Sequence, residues 1–428
     1  MGTEAASRTV WRQSTFLILL SGQWISQLGD VAFNLALYWY VLTATHRPVL
    51  LGLVGALAGV GNLFAVVSGV WVDRWNRRTI LIVTDTIRGV LILGLLAWIL
   101  QQHHFVLVAL GVTVLLVNIG GSMFNPAMMA FTPQVITSDQ LMQANGVLQS
   151  AAYIAQLAGY AFGGVMIALL GVNTLFLTDG ISFWVSAFSL IFVRPLREVP
   201  SSQKGPLRTL GQFWAELREG QHLIWRHPFL RRALPIALVV NMALMPLNVL
   251  DVVWVRRVLH LGPLAYAGFG AALLVGMIGG SMLASRVFKR LVVTTTIILC
   301  LAVSGGSLVL LSRVPLFSVT IGCLFGIGVS FGVLNTGLAT LIQQATPKAL
   351  LGRVAGALMT ASGVANPFGA AIAGFATERW PVSLILGVAG LVLAAASALF
   401  IGAPRTIEPL EADSASKESL LGQGEAST

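Results

Sequence analysis

The sequence predicts an all-α membrane protein whose twelve transmembrane helices form two six-helix halves. Three observations carry that prediction. Of the 428 residues, 56% are hydrophobic and only 10% charged, with a mean hydropathy of +0.84. A soluble domain carries roughly 25% charge. Apolar runs of about 20 residues, each long enough to cross a bilayer, recur along the whole chain. The basic residues are also segregated. If the N-terminus lies inside, 21 of the 26 Lys and Arg residues fall in inside segments, and only Arg47, Arg256, Arg257, Arg313 and Arg379 fall outside. Positive charge is retained on the cytoplasmic side of membrane spans, so both termini are expected there.

Taken in order, the first six spans are expected at 15–42, 50–72, 79–100, 105–131, 143–169 and 172–193. The first run is too long for the apolar core of a signal peptide and lacks a small-residue cleavage site after it, so it reads as a span. A polar connection, 194–232, follows as a cytoplasmic linker. Within it Leu210 to Arg232 mixes Phe213, Trp214, Leu217, Leu223, Ile224 and Trp225 with charges, the pattern of an amphipathic helix in the membrane interface. The second half is expected at 233–255, 263–288, 291–311, 314–343, 351–377 and 381–402, before a polar tail, 403–428, that reads as disordered. The first half, with the N-terminus, is thus 1–193 and the second 233–402.

The most charged short stretch lies between spans 2 and 3: Gly69 to Arg78, GVWVDRWNRR, holds Asp73, Arg74, Arg77 and Arg78. Between two bilayer-length runs it must be a tight hydrophilic turn at the membrane surface. The halves echo each other around it. Ser281 to Arg290 follows span 8 as Gly69 to Arg78 follows span 2, with Arg286, Lys289 and Arg290 matching Arg74, Arg77 and Arg78. Internal repeats of this kind are how many transporters are built.

Polar residues inside the spans mark the candidate chemistry. In span 1, Gln23, Gln27, Asp30 and Asn34 are spaced 4, 3 and 4, which places them on one helix face. Asp30 lies roughly 22 Å along the helix from Thr15, near mid-bilayer. A carboxylate at that depth is costly unless it faces water, finds a partner or takes up a proton. Asp30 is therefore the first candidate for proton coupling and Asp179, in span 6, the second. The competing reading for both is structural: an interhelical hydrogen-bonding stripe or a local pair. Weaker stripes follow in Asn118, Ser122 and Asn125 of span 4, Gln149, Tyr153, Gln156 and Tyr160 of span 5, Asn241 and Asn248 of span 7, and Asn335 of span 10. Asp85 and Arg88, three apart on one face of span 3, read as a local pair near the inner surface that supports the charged turn.

The turn GVWVDRWNRR resembles the loop between helices 2 and 3 of the major facilitator superfamily. REGQHLIWRHPFLRR in the linker, Leu28-Gly29-Asp30, Asp85 to Arg88 and Thr178-Asp179 to Phe183 resemble the branch that includes the enterobactin exporter and macrolide efflux proteins. The resemblance implies that spans 1, 4, 7 and 10 line a central cavity. Gln23, Gln27, Asp30, Asn34, Asn118, Ser122, Asn241, Asn248 and Asn335 then belong to it, with Gln149, Tyr153 and Gln156 beside them. It also implies that Gly69, Asp73 and Arg74 latch the two halves on the cytoplasmic side, with Arg77, Arg78, Asp85 and Arg88 as parts of that gate. In the simpler reading the arginines only fix topology.

The lining so implied, rich in amides and aromatics, suits a bulky, apolar, neutral or cationic solute better than a sugar phosphate. The function that the resemblance implies is export of amphipathic organic solutes (a drug, a macrolide-like compound or a siderophore) by proton antiport with alternating access, the direction following from the resemblance alone. Alternatives are a siderophore or nutrient importer or facilitator, and a non-transporting receptor or scaffold. No histidine lies at membrane depth and no phosphate-binding Gly-rich loop occurs, so neither enzyme chemistry nor a cofactor is expected. The six histidines lack ligand spacing, so neither is a metal. Two cysteines, Cys300 and Cys323, both fall inside spans. The net charge of +10 sits between spans rather than along one helix, which argues topology rather than nucleic acid. The expected partners are a small-molecule substrate, protons and the lipid of an inner or plasma membrane, with the chain acting as a monomer.

Overall fold

The computed structural model describes residues 13–64, 68, 75–101, 105–137, 140–193, 228–345 and 351–399. The linker up to 227, with most of its expected amphipathic helix, the tail, and Gly69, Asp73 and Arg74 of the charged turn lie outside the described residues.

Among the described residues there are twelve α-helices. The first half is α1 (Ser14–Thr45), α2 (Val49–Leu63), α3 (Arg77–Leu100), α4 (Val106–Val135), α5 (Leu141–Leu170) and α6 (Val172–Phe192). The second half is α7 (Pro228–Val253), α8 (Pro263–Arg290), α9 (Val293–Arg313), α10 (Phe317–Ala345), α11 (Leu351–Ala376) and α12 (Val382–Ala398). Among the described residues there is no strand. Nine helical stretches among the described residues are long and apolar enough to cross a membrane, and Val49–Leu63, Gly363–Ala376 and Val382–Ala398 are shorter apolar ones. Most boundaries fall within four residues of expectation. Helix α2 ends nine residues early, at Leu63, and helix α7 is described from Pro228, five residues before the expected span. Helix α7 then runs into a π-helical turn, Trp254–Val258.

The outer surface is apolar, with Leu169, Phe188, Phe192, Phe375 and Leu391 among the exposed side chains. Water would oppose such a surface; a bilayer accepts it. Burial therefore serves packing between helices, and small residues set the spacing. At the α8–α10 crossing, Gly276 and Gly280 face Gly328 and Gly332. A Cβ at Gly280 would lie 2.1 Å from the Val329 carbonyl oxygen, and one at Gly332 would lie 2.1 Å from that of Met277.

The internal repeat seen in the sequence is a repeat of packing. In the first half α1 packs on α5 and α6, α3 on α4 and α6, and α2 on α4. In the second half α7 packs on α11 and α12, α9 on α10 and α12, and α8 on α10, the same pairs six helices later. Across the halves α2 meets α11 and α5 meets α8, which exchange under the same relation.

These cross-half contacts gather at the end of the bundle bearing the α1–α2 turn, the distal end. A Cβ at Gly52 would lie 2.4 Å from Cα of Gly374, and one at Gly164 would lie 2.5 Å from Cβ of Ala267. The two halves therefore touch almost backbone to backbone there.

Candidate functional site

Two polar sites lie in the interior. The first is a charge cluster inside the first half. Asp30 is at the midpoint of α1, and Arg88 is eleven residues into α3, roughly 17 Å from its start. Arg88 Nη2 donates to Asp30 Oδ1 at 2.9 Å. Its Nη1 is 3.7 Å from Asp85 Oδ1, close enough for attraction but too far for a hydrogen bond. The guanidinium carbon sits 3.9 Å from the centroid of the Phe183 ring of α6.

Asp179 completes the cluster from α6 and is an electrostatic neighbour of Asp30, Arg88 and Asp85. It is fully buried, accepts the Ser182 hydroxyl at 3.3 Å, and has one oxygen without a hydrogen-bond partner among the described residues.

Small residues make this convergence possible. A Cβ at Gly29 would lie 2.6 Å from Asp179 Oδ1, and one at Gly120 of α4 would lie 3.0 Å from the Arg88 side chain. The cluster holds three acids and one base. Three of the four side chains are at most 10% exposed, while that of Asp30 is 37% exposed.

Here the structure corrects one expectation. Asp85 and Arg88 do pair along α3, at 3.7 Å, but midway along that helix rather than near its start. Helix α3 begins at Arg77, which carries Arg88 to mid-bundle, where its shorter contact is with Asp30. Arg77 and Arg78, the other described arginines expected in a gate, are held within the first half. Arg77 donates to the Ala130 carbonyl of α4 at 3.2 Å. Arg78 donates to the Leu190 carbonyl at 2.9 Å and also to that of Ile191. Both acceptors are in the last turn of α6, where carbonyls lack helical partners and favour a cation. Asn76 caps the start of α3, accepting from the backbone N–H of Arg78 at 3.0 Å.

The second site is a cavity of about 280 Å³ between the halves. Its lining includes Asn34, Tyr38, Tyr160, Asn248, Asp251 and Tyr266. Asp251 is an electrostatic neighbour of all three tyrosines. The cavity is roofed distally by Trp39 stacked on Tyr266 at 6.0 Å. Beyond this pair Arg256 lies 5.4 Å over the Trp39 ring, and Arg257 donates to the His46 carbonyl at the end of α1.

Of the residues expected in the cavity, Asn34 and Asn248 line it. Gln23 turns to α6, donating to the Ser186 hydroxyl at 3.3 Å. Asn118 and Ser122 are engaged elsewhere. Asn118 bonds back to Val114 and packs on Gly61, so it serves the α2–α4 contact, and Ser122 accepts the Ser68 hydroxyl at its carbonyl. Gln149 and Asn335 are exposed, while Gln27, Tyr153, Gln156 and Asn241 are half-buried; none lines this cavity.

Asp251 escaped the sequence reading because it stands just before Arg256 and Arg257 and was absorbed into the end of a span. Its spacing carried a signal: Asn241, Asn248 and Asp251 are seven and three apart, on one helix face. No group of three or more His, Cys, Asp or Glu residues among those described is arranged to hold a metal ion.

Known proteins share this architecture. The Major Facilitator Superfamily model matches residues 19–370. The multidrug efflux pump Tap of Mycobacterium tuberculosis is 27% identical over 384 residues, covering 86% of this chain and 88% of that protein. Macrolide efflux protein A of Streptococcus pyogenes is 22% identical over 372 residues, covering 85% and 89%. Among solved structures, a bacterial homologue of the iron transporter ferroportin in an inward-facing state superposes with a TM-score of 0.70 at 16% identity, covering 91% of this chain and 98% of that one. The nucleoside transporter NupG gives 0.72 at 11% identity, with the same coverage. At these identities the structures speak to fold alone. A family match over most of the length, on a bundle of twelve helices in two repeated halves, identifies the chain as a member of the Major Facilitator Superfamily.

Proposed function

We propose that this transporter exports amphipathic organic solutes in exchange for protons by alternating access. The observation that carries the reading is the cluster of Asp30, Asp85 and Asp179 around Arg88. One guanidinium balances one carboxylate, so the remaining acids can be held at membrane depth only by taking up protons or by facing water. Asp30, the most exposed member, is the exchangeable site. Arg88 is the internal cation that competes with the proton for it.

Losing or gaining a proton at Asp30 makes or breaks a bond between α1 and α3. Both helices belong to the first half, and α1 also borders the cavity through Asn34. Protonation is thereby linked to the shape of the cavity wall, the minimum that coupling requires. Helices α2 and α11, and α5 and α8, are the cross-half pairs about which the halves rock. Export of drugs or macrolide-like compounds is supported by likeness to Tap and macrolide efflux protein A, whose names state efflux of those classes.

In this reading both termini are cytoplasmic, the 194–232 linker joins the halves on that side, and one chain suffices. Gly69, Asp73 and Arg74 latch the proximal side when the distal side opens. The test is pH-gradient-driven solute movement in proteoliposomes, comparing the wild-type chain with Asp30→Asn across lipophilic cations, macrolides and siderophores. Gradient-driven movement lost in the variant, with solute binding kept, is the expected result. Movement indifferent to both the gradient and the substitution would overturn proton coupling.

A further inference from the structure

We propose that the cavity between the halves is a recognition site for a monovalent organic cation, a protonated amine or quaternary ammonium on an apolar body. Asp251 is its counter-charge, and Tyr38, Tyr160 and Tyr266 form its walls. The inference deepens the transport reading by naming the class of solute, and it rests on observations separate from the Asp30 cluster.

The first observation is the sign of the cavity. Among the described residues Asp251 is the only charged one in its lining, which otherwise holds amides, phenols and apolar side chains. The nearby bases are committed elsewhere. Arg256 lies against the Trp39 ring, Arg257 is bound to the His46 carbonyl, and Arg88 is engaged by Asp30. Asp251 accepts the backbone N–H of Val252 at 2.6 Å and, among the described residues, forms no ion pair. A carboxylate so placed lacks a counter-ion that a cationic solute can supply.

The walls are the second observation. Three phenol rings around one acid combine aromatic faces with a fixed negative charge, the two features that recognise quaternary and protonated amines. The rings are held in place. Tyr266 is stacked on Trp39 at 6.0 Å. Tyr160 packs against Gly270, where a Cβ would come within 2.1 Å of the ring, so the glycine is what admits it to the wall.

Size is the third. At about 280 Å³ the space lies at the lower edge of ligand pockets, which run from about 300 to 1,000 Å³. It suits an ammonium head with one aromatic or branched group rather than a whole macrolide.

The test is binding of benzyltrimethylammonium to the full chain in nanodiscs, read by titration calorimetry, with phenylacetate as a like-sized anion. The wild-type chain is expected to bind the cation at least about tenfold more tightly than the anion, and Asp251→Asn to lose at least about tenfold in cation affinity. Tyr266→Phe should keep most of the affinity and Tyr266→Leu should lose it severalfold. Asn34→Lys, which sets a fixed cation in the same cavity from an exposed position, should abolish cation binding, and it decides the matter if Asp251→Asn does not fold. Cation affinity unchanged in Asn34→Lys, or in a folded Asp251→Asn, overturns the proposal, as does failure of the wild-type chain to bind the cation.

Transport and recognition can fail separately. Cation binding that depends on Asp251, without gradient-driven movement, keeps the site and sinks the antiport. Gradient-driven movement with binding indifferent to Asp251 does the reverse.

Discussion

Arg88 of α3 and Asp30 of α1 meet at 2.9 Å in the middle of the first half, with the Arg88 side chain only 10% exposed. Arg88 is buried and is the one base of the cluster, so removing it leaves Asp30, Asp85 and Asp179 without a counter-ion. Breaking a buried pair in this way costs about 3–5 kcal/mol, more than the pair itself contributes. Arg88→Met should therefore lower the melting temperature of the purified protein sharply, because three carboxylates then share the interior. Asp30→Asn on the same chain should recover part of that loss. A double-mutant cycle on thermal stability reads the coupling, and additive effects would show that the two side chains do not interact energetically.

A second prediction concerns Arg78. Its bonds to the Leu190 and Ile191 carbonyls neutralise the exposed end of α6. A cation at a helix C-terminus contributes about 0.3–1 kcal/mol in exposed settings and up to about 2 kcal/mol when partly buried. Arg78→Ala should destabilise by an amount in that range, with faster hydrogen exchange confined to the last turn of α6. Arg78→Lys should recover less than half, since an ammonium cannot reproduce the guanidinium's fork. Exchange that speeds up across the whole first half would instead make Arg78 part of a wider switch.

The architecture was legible in the sequence and the wiring of the site was not, for a physical reason. Hydropathy and basic-residue placement act through the bilayer, a solvent that reads each span on its own, so twelve spans could be counted without knowing any contact. Convergence of Asp30, Asp85, Arg88 and Asp179 depends instead on helix rotation and on the depth at which α3 begins, and Gly29 and Gly120 decide it by what they leave empty. Asp30 and Asp179 stood out because acids in apolar runs are rare. Arg88 was misplaced because a cation near a span end usually belongs to topology. Asn118 shows the opposite error: the same spacing that marks a cavity face also marks a packing seam, and only the neighbouring helix, here α2, tells them apart.

The α8–α10 crossing makes a third prediction by contrast between adjacent glycines. Gly280 faces the α10 backbone, where a Cβ would lie 2.1 Å from a carbonyl oxygen, whereas a Cβ at Gly279 meets nothing within 4 Å. Gly279→Ala should be neutral, or stabilising by up to about 1 kcal/mol through helix propensity. Gly280→Ala must separate two helices to be accommodated and should cost several-fold in folded yield on size-exclusion chromatography. Equal yields from the two variants would mean that α8 and α10 stand further apart than the packing found here.

The last prediction follows from the distal roof. Arg257 reaches from the turn after α7 to the His46 carbonyl at the end of α1, and the Trp39–Tyr266 stack lies beneath it, so a few side chains bridge the halves above the cavity. His46 itself adopts a left-handed conformation, with φ of 55°, which ends α1 and turns its carbonyl out of the helix ladder and towards the arginine. Arg257→Ala removes this bridge without touching the cavity lining. The Gly52–Gly374 contact remains, so the distal side should be loosened rather than lost. With Cys300 and Cys323 replaced by serine, Asn34→Cys reports on the cavity through its reaction with a membrane-impermeant maleimide added from the distal side. Labelling should be slow with Arg257 present and several-fold faster in Arg257→Ala. A solute held in the cavity should slow it again in both. Equal rates with and without Arg257 would leave the Trp39–Tyr266 pair and the glycine contacts as the whole of the distal closure, and would reduce Arg257 to a charge that fixes topology.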